Sequence, residues 1–360
     1  MKKLTIIAPY PRGEAPSQRF RFEQYLELFE AEGYVVDFHP FIDQNTWETL
    51  YTPGKHFKKT VGMLRSFMRR WVLLPKLRHS DIIFIHREAA QLGPPIFEWL
   101  IAKVLRKKYI YDFDDAIWLA NYSTTNATFH RLKAYWKVSY CMKWAYQITA
   151  GNTYLANYAR KYNAHVSVIP TTIDLVNFHN QLTNYDQEEL VIGWTGTHTT
   201  IHYLDELIPV LRELEKELTF TFTVISNVAP DYDLKSLRFV KWNKATEIED
   251  LAKFSIGIMP LRADRWSEGK CGFKGLQYMA LGVPALLSPI GVNKEIITHN
   301  ENGYLPKTLE DWKSYIKQLL DDKDLRQKIG TAGRQTIQER YSVNANKATY
   351  LAIINSVASH

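Results

Sequence analysis

The residues best placed to do chemistry lie in Lys270-Cys271-Gly272-Phe273-Lys274-Gly275-Leu276-Gln277-Tyr278-Met279-Ala280-Leu281-Gly282-Val283-Pro284. A glycine-rich turn feeds a short helix that Gly282 ends and Pro284 keeps from resuming. On a near-helical turn Lys270, Lys274 and Gln277 share a face. Two ammonium groups beside the unpaired N–H groups of a helix start would clamp a diphosphate. Gln277, a turn further in, is placed to hold a ribose or sugar hydroxyl. The same residues also describe a solvated lysine pair on a surface helix.

Four further groups follow apolar runs. His86-Arg87-Glu88 follows the run ending at Ile85, and Asp112-Phe113-Asp114-Asp115 follows Tyr109-Ile110-Tyr111. Asp-x-Asp suits a hard cation through oxygen ligation, while Asp114 or Asp115 equally well caps a helix. Arg12, Arg19 and Arg21 surround an early Pro/Gly-containing loop and offer charge to a phosphate. Arg19 and Arg21, two apart, cannot both face one ligand on a helix. Trp242 ends another apolar run and would stack on a nucleobase or fill a core.

Positioning these groups requires a scaffold, and the chain alternates short apolar runs with helical periodicity, as in βαβ units. Strands are expected at residues 4–8, 34–38, 81–85, 109–111, 146–149 and 166–169 in the first half. Helices are expected over residues 18–32, with Ser17 as N-cap and Gly33 as stop, and around 97–105. The second half restarts with a strand at 190–193, a Thr-rich turn and a helix carrying Leu204, Leu207, Ile208, Leu211 and Leu214. Later strands are expected at 220–225, 239–242, 256–259 and 285–288. Two doubly wound α/β domains facing each other across a cleft follow, with ligands beyond the carboxyl ends of the strands.

The 360 residues allow about two domains at roughly 150 residues each, and 46% hydrophobic with 23% charged residues excludes a disordered chain. Lys and Arg number 45 against 38 acids, a net +7 that points to an anionic partner. Two cysteines, Cys141 and Cys271, make neither a disulfide framework nor a four-thiolate zinc site and suit a reducing, cytoplasmic setting. No apolar run approaches the roughly 18 residues of a spanning helix. Neither G-x-G-x-x-G nor G-x-x-x-x-G-K-[ST] occurs, which argues against ordinary dinucleotide enzymes and P-loop ATPases.

The Lys270–Pro284 stretch resembles the signature of the family 4 glycosyltransferases, in a variant reading K-C-G-F-K-x-x-Q-Y-M-A-x-G-x-P. Pro16-Ser17-Gln18-Arg19-Phe20-Arg21, Asp112 to Trp118, Val168 to Asp174, Ile192 to Thr197 and Asn300 to Tyr304 resemble further segments of that family, in its order. The resemblance implies the GT-B fold, with an acceptor-binding domain at 1–170, a nucleotide-sugar-binding domain at 171–343 and a C-terminal helix at 344–360 packing back on the first. It implies sugar transfer with retention from a UDP- or GDP-linked donor to a glycan or lipid-linked acceptor, in cell-surface polysaccharide or glycoconjugate synthesis. No cofactor or metal is expected.

Donor contacts are then expected from Thr195, Gly196, Thr197, Lys270, Lys274, Gln277 and Trp242. Acceptor or phosphate contacts are expected from Arg12, Ser17 and Arg19, and catalysis from Asp114, Asp112, His86 and Lys274. The chain departs from the family in three places. Of two glutamates eight positions apart, the second is Gln277 and the first falls on Gly269, beside Glu268. The Arg and Lys expected after the second domain's first strand are replaced by Thr195-Gly196-Thr197-His198-Thr199. The histidine after the fifth strand is replaced by the acidic run. These departures leave two alternatives: a non-catalytic binding or scaffold protein of the same fold, and a metal-dependent transferase using Asp112-x-Asp114.

Residues 55–79 interleave eight Lys and Arg with Phe57, Leu64, Phe67, Trp71 and Leu73. Leu64, Phe67 and Trp71 fall on one helical face, which either docks on an anionic membrane, giving a peripheral inner-face location, or on a lipid-linked acceptor, or packs into the core. Nucleic acid fits the charge but finds no module here.

Overall fold

A computed structural model of the chain describes residues 1–50, 52, 54–120 and 132–358. The chain divides into two compact units, Met1–Thr171 with Asn346–His360, and Thr172–Ala345.

The first unit is built on six parallel strands, β1 (Lys2–Ala8), β2 (Tyr34–Pro40), β3 (Ile82–His86), β4 (Tyr109–Phe113), β5 (Gln147–Ala150) and β6 (Val166–Val168), in the order β2-β1-β3-β4-β5-β6. β3 and β4 are buried along their whole length, which is why they read as continuous apolar runs. The sequence order reverses between β1 and β3, so loops at the carboxyl ends of these strands flank a topological switch point. The helices are α1 (Pro16–Arg19), α2 (Leu26–Ala31), α3 (Gln44–Leu50), α4 (His56–Lys76), α5 (Ile96–Trp99), α6 (Lys137–Trp144) and α7 (Thr153–Ala159).

The continuous helix expected over residues 18–32 is broken. α1 ends at Arg19, a 3₁₀ turn spans Glu23–Tyr25, and α2 follows; Ala15, not Ser17, holds the N-cap position and no side chain caps it. Phe20, Arg21 and Phe22 are all buried. Three consecutive inward side chains are incompatible with one helical face, so the chain unwinds there. The helix expected around 97–105 likewise ends at Trp99 and continues as a wide π-type segment, Leu100–Val104.

The second unit has five parallel strands, β7 (Val191–Thr195), β8 (Thr221–Ser226), β9 (Leu237–Lys241), β10 (Ile256–Met259) and β11 (Ala285–Leu287), ordered β11-β10-β7-β8-β9. Its helices are α8 (Ile208–Leu214), α9 (Glu247–Ala252), α10 (Arg265–Glu268), α11 (Phe273–Ala280), α12 (Asn293–Ile296), α13 (Leu309–Asp321) and α14 (Lys323–Thr336). α15 (Val343–Ala358) belongs to the first unit from Asn346 onward, where Tyr350 stacks on Tyr25 with ring centroids 4.7 Å apart. α8 starts later than the leucine periodicity suggests, because Pro209 at its first turn lacks the N–H that an earlier start would use. The core joins Trp194, Leu211, Phe222, Ile258, Leu286, Trp312 and Ile316. Here the switch point lies between β7 and β10.

Close packing fixes α11, which follows that switch point. A Cβ on Gly257 would stand 2.4 Å from the Tyr278 ring, so only glycine lets α11 lie against β10. A Cβ on Gly330 of α14 would meet the Gly282 carbonyl oxygen at 1.9 Å. Arg334 of α14 donates to the carbonyls of Ala280 and of His179, the latter at 2.8 Å, satisfying the end of α11.

Candidate functional site

In the second unit, β10 leads into α10, whose N-cap Asp264 accepts the Ser267 N–H at 2.7 Å. The chain then turns through Gly272, held at φ +68°, into α11. This left-handed turn swings Lys274 toward the end of β7, where its Nζ lies 5.4 Å from the centroid of the buried Trp194 ring. Gly196 is packed on the same indole; a Cβ there would stand 2.3 Å from it. Lys274, Trp194 and the 195–197 loop are therefore brought together. Lys270 lies over a different ring, 5.3 Å from the Trp266 centroid.

The backbone donors of this loop, where donor contacts are expected, are spent internally. The N–H of Thr195 donates to Tyr278 Oη at 3.1 Å, that of Gly196 to the Ile225 carbonyl at 3.0 Å, and that of Thr197 to Thr200 Oγ1 at 3.1 Å. His198 donates its N–H to Asn227 Oδ1 at 2.9 Å. The hydroxyls of Thr197 and Thr199 also bond each other at 2.7 Å. Positive charge at this strand end comes from Lys274, not from the loop.

Gln277 is buried, and its Nε2 lies 3.5 Å from Glu247 Oε1 and 3.4 Å from His179 Nε2. Trp242, half-buried past the end of β9, directs its indole N–H at the same Glu247 oxygen, 3.4 Å away. Glu247 thus joins two residues picked out separately in the sequence. It carries no motif; its only signal is an acidic residue in the first turn of a helix soon after Trp242. The arrangement also gives a physical reason for an amide at 277, since a carboxylate there would face Glu247. We predict that Gln277→Glu lowers stability by about 1–3 kcal/mol at pH 7. Glu247→Gln in the same chain should restore it, which paired thermal denaturation curves would check.

In the first unit, register pairing aligns His86, Asp112 and Thr149 across β3, β4 and β5. Asp112 Oδ2 takes His86 Nδ1 at 2.7 Å, and Oδ1 takes the Thr149 hydroxyl at 2.7 Å. Arg21 pairs with both oxygens and donates to the Ile169 carbonyl. Burial alone would raise the Asp112 carboxyl; Arg21, with His86, outweighs it and holds the carboxyl far below the usual range. Asp112, His86 and Arg21 are each at most 1% exposed. The early-loop role offered for Arg21 is replaced by this buried pairing, and Asp112 is committed to it.

Arg87, absent from the expected site, is prominent here. Its φ of +58° is unusual for a non-glycine residue and is fixed by its N–H on the Asp112 carbonyl, 2.7 Å, and by the Tyr111 hydroxyl on its own carbonyl. The guanidinium bonds Asp114 at 2.8 Å through Nε and Asp115 at 2.6 Å through Nη2. Burial pushes the Asp114 carboxyl up against the pull of Arg87, with Asp115 adding to the rise. The two carboxylates of Asp112-x-Asp114 are thus each committed to an arginine instead of converging on a cation. Among the described residues no cluster of three or more His, Cys, Asp or Glu has the arrangement of a metal site.

Around the early loop, Gln18 bonds the Tyr10 N–H at 2.9 Å and Glu23 at 2.9 Å, while Glu23 accepts the Gly13 N–H at 2.8 Å. Burial raises the Glu23 carboxyl against these two bonds. Arg12 is exposed on this loop, Ser17 is half-buried, and Arg19 lies 5.0 Å from the Phe20 ring centroid.

Residues 229–336 match the family model described as glycosyl transferases group 1. No curated protein matches the chain in sequence. Among solved structures, the sucrose-phosphate synthase of Thermosynechococcus elongatus matches over 100% of both chains, with a TM-score of 0.67 and 12% identity. A glycosyltransferase from Rickettsia africae matches over 99% of this chain and 98% of its own, with a TM-score of 0.69 and 14% identity. Anabaena HepE, solved with UDP-glucose, matches over 99% of this chain and 100% of its own, with a TM-score of 0.69 and 12% identity. The chain has the GT-B fold.

Proposed function

We propose that the chain is a nucleotide-sugar-dependent glycosyltransferase that moves a sugar, with retention, from a UDP- or related donor to a glycan or lipid-linked acceptor. The observation that carries this reading is Lys274 held over Trp194 at the end of β7, beside the second unit's switch point. A cation fixed there stabilises a departing diphosphate electrostatically. The match of residues 229–336 to the group 1 glycosyl transferases and the UDP-glucose held by HepE support the same reading. Lys270 adds charge, and the Gln277–Glu247–Trp242 cluster is assigned to the nucleoside. Asp114, with its raised carboxyl held by Arg87, is assigned to the acceptor hydroxyl in the first unit.

Donor binding is expected to survive EDTA, because both Asp-x-Asp carboxylates are held by guanidinium groups. The test is incubation with UDP-glucose, other UDP- and GDP-sugars and simple glycan acceptors, with the anomeric configuration of the product read by proton NMR. A product with the donor's configuration is the expected outcome. An inverted product contradicts retention, and no turnover with any donor favours the non-catalytic reading, to which the internally spent N–H groups of residues 195–198 lend weight.

A further inference from the structure

α4 is oriented against its own hydrophobicity. Its buried residues are Gly62, Ser66, Arg70 and Leu73, whereas Phe57, Leu64, Met68, Trp71 and Val72 are 81, 61, 62, 48 and 56% exposed. At roughly 100° per residue, these five fall within about 60° of one direction, opposite the buried face. The inward face is locked by specific contacts. A Cβ on Gly62 would stand 2.7 Å from Thr46 of α3. Arg70 donates to the carbonyls of Ala8, His39 and Ala89 at 2.9, 3.0 and 2.6 Å, closing the ends of β1 and β2. Turning the helix to bury its apolar stripe would withdraw the Arg70 guanidinium from all three carbonyls.

Cations border the stripe. Residues 54–80 contain eight Lys and Arg and no Asp or Glu. Arg69 is taken by Asp43 at 2.7 Å, and Arg70 is buried. Lys58, Arg65 and Lys76, on one flank of the stripe, have no ion pair among the described residues. Arg65, Met68 and Lys76 also line an open groove of about 480 Å³ between α4 and the end of β2. Of the two alternatives read from the sequence, packing of this face into the core is overturned: Leu64 and Trp71 lie outside, and Arg70 is inside.

We propose that α4 docks the protein on an anionic phospholipid bilayer, with Phe57, Leu64, Met68, Trp71 and Val72 entering the interface and Lys58, Arg65 and Lys76 meeting lipid phosphates. An exposed apolar stripe edged by unpaired cations matches such a surface in both polarity and charge. A second copy fits less well, because a two-fold contact through this face sets basic flank near basic flank. This docking does not depend on the proposed transfer reaction.

Vesicle flotation of the full chain tests it, with phosphatidylcholine alone and with phosphatidylcholine mixed with phosphatidylglycerol. The protein is expected to float with the mixed vesicles only and to be released as salt rises. Leu64→Ser with Met68→Ser, and separately K58E with R65E and K76E, should each lower binding by roughly tenfold or more. Thermal midpoints should not move, since these side chains are exposed. Absence of wild-type binding to the mixed vesicles overturns the proposal, as does binding undiminished in either variant. A dimer that Met68→Ser dissociates, without vesicle binding, assigns the stripe to a second copy instead. Nucleotide-induced thermal shifts of the same samples report separately on the second unit.

Discussion

Replacing Lys274 by Ala is expected to lower kcat for sugar transfer by roughly 100- to 1,000-fold, with a much smaller change in KM. The ammonium is held at one strand end by the Trp194 ring, so it requires little reorganisation when charge develops on a departing diphosphate. Losing the cation–π contact itself costs only about 0.5–1 kcal/mol at a half-exposed position, so the fold should survive. Steady-state kinetics with a thermal denaturation control would check this. A kcat within a few-fold of wild type would remove Lys274 from the reaction. Lys270→Ala, acting from over Trp266, should give a smaller loss.

The largest expected effect on stability is that of Asp112→Ala. It leaves the buried Arg21 guanidinium and His86 without their shared carboxylate, a change that costs about 3–5 kcal/mol for buried pairs. Against a typical total of about 5–15 kcal/mol, that loss should be plain in urea denaturation. The pH dependence has a definite sign. The folded carboxyl titrates far below its unfolded value of about 3.9, so its contribution is complete above that pH and is lost as pH falls toward the folded value. The gap between wild type and Asp112→Asn should therefore be constant from pH 7 to about pH 5 and shrink below about pH 4. A gap independent of pH throughout would mean that the carboxylate charge is not what holds Arg21.

The strands were legible because most are buried on both faces and read as apolar runs; β10 falls at Ile256–Met259, the range expected. Local patterns failed where a distant residue decides. Arg21 turns inward to a partner 91 positions away, and that pairing helps unwind the first helix. The Gln277–Glu247–Trp242 cluster assembles from three segments, of which sequence pattern marked two. In α4 the periodicity located an apolar face but not its direction, which Gly62 and Arg70 set through contacts with α3 and the strand ends. For the loop at residues 195–199, hydroxyl and glycine content alone cannot tell which donors it uses on itself.

The proposed transfer requires a nucleoside diphosphate to bind the second unit through Lys270 and Lys274. The most direct measurement is a thermal-shift panel of UDP, GDP, ADP and their sugar derivatives on wild type and on Lys270→Ala with Lys274→Ala, with and without EDTA. A ligand at about 100 times its Kd stabilises the folded state by roughly 2.7 kcal/mol, well within reach of the method. The prediction is that at least one of these nucleotides raises the wild-type midpoint regardless of EDTA and fails to do so in the double variant. No shift with any nucleotide, or a shift equal in both proteins, would contradict it.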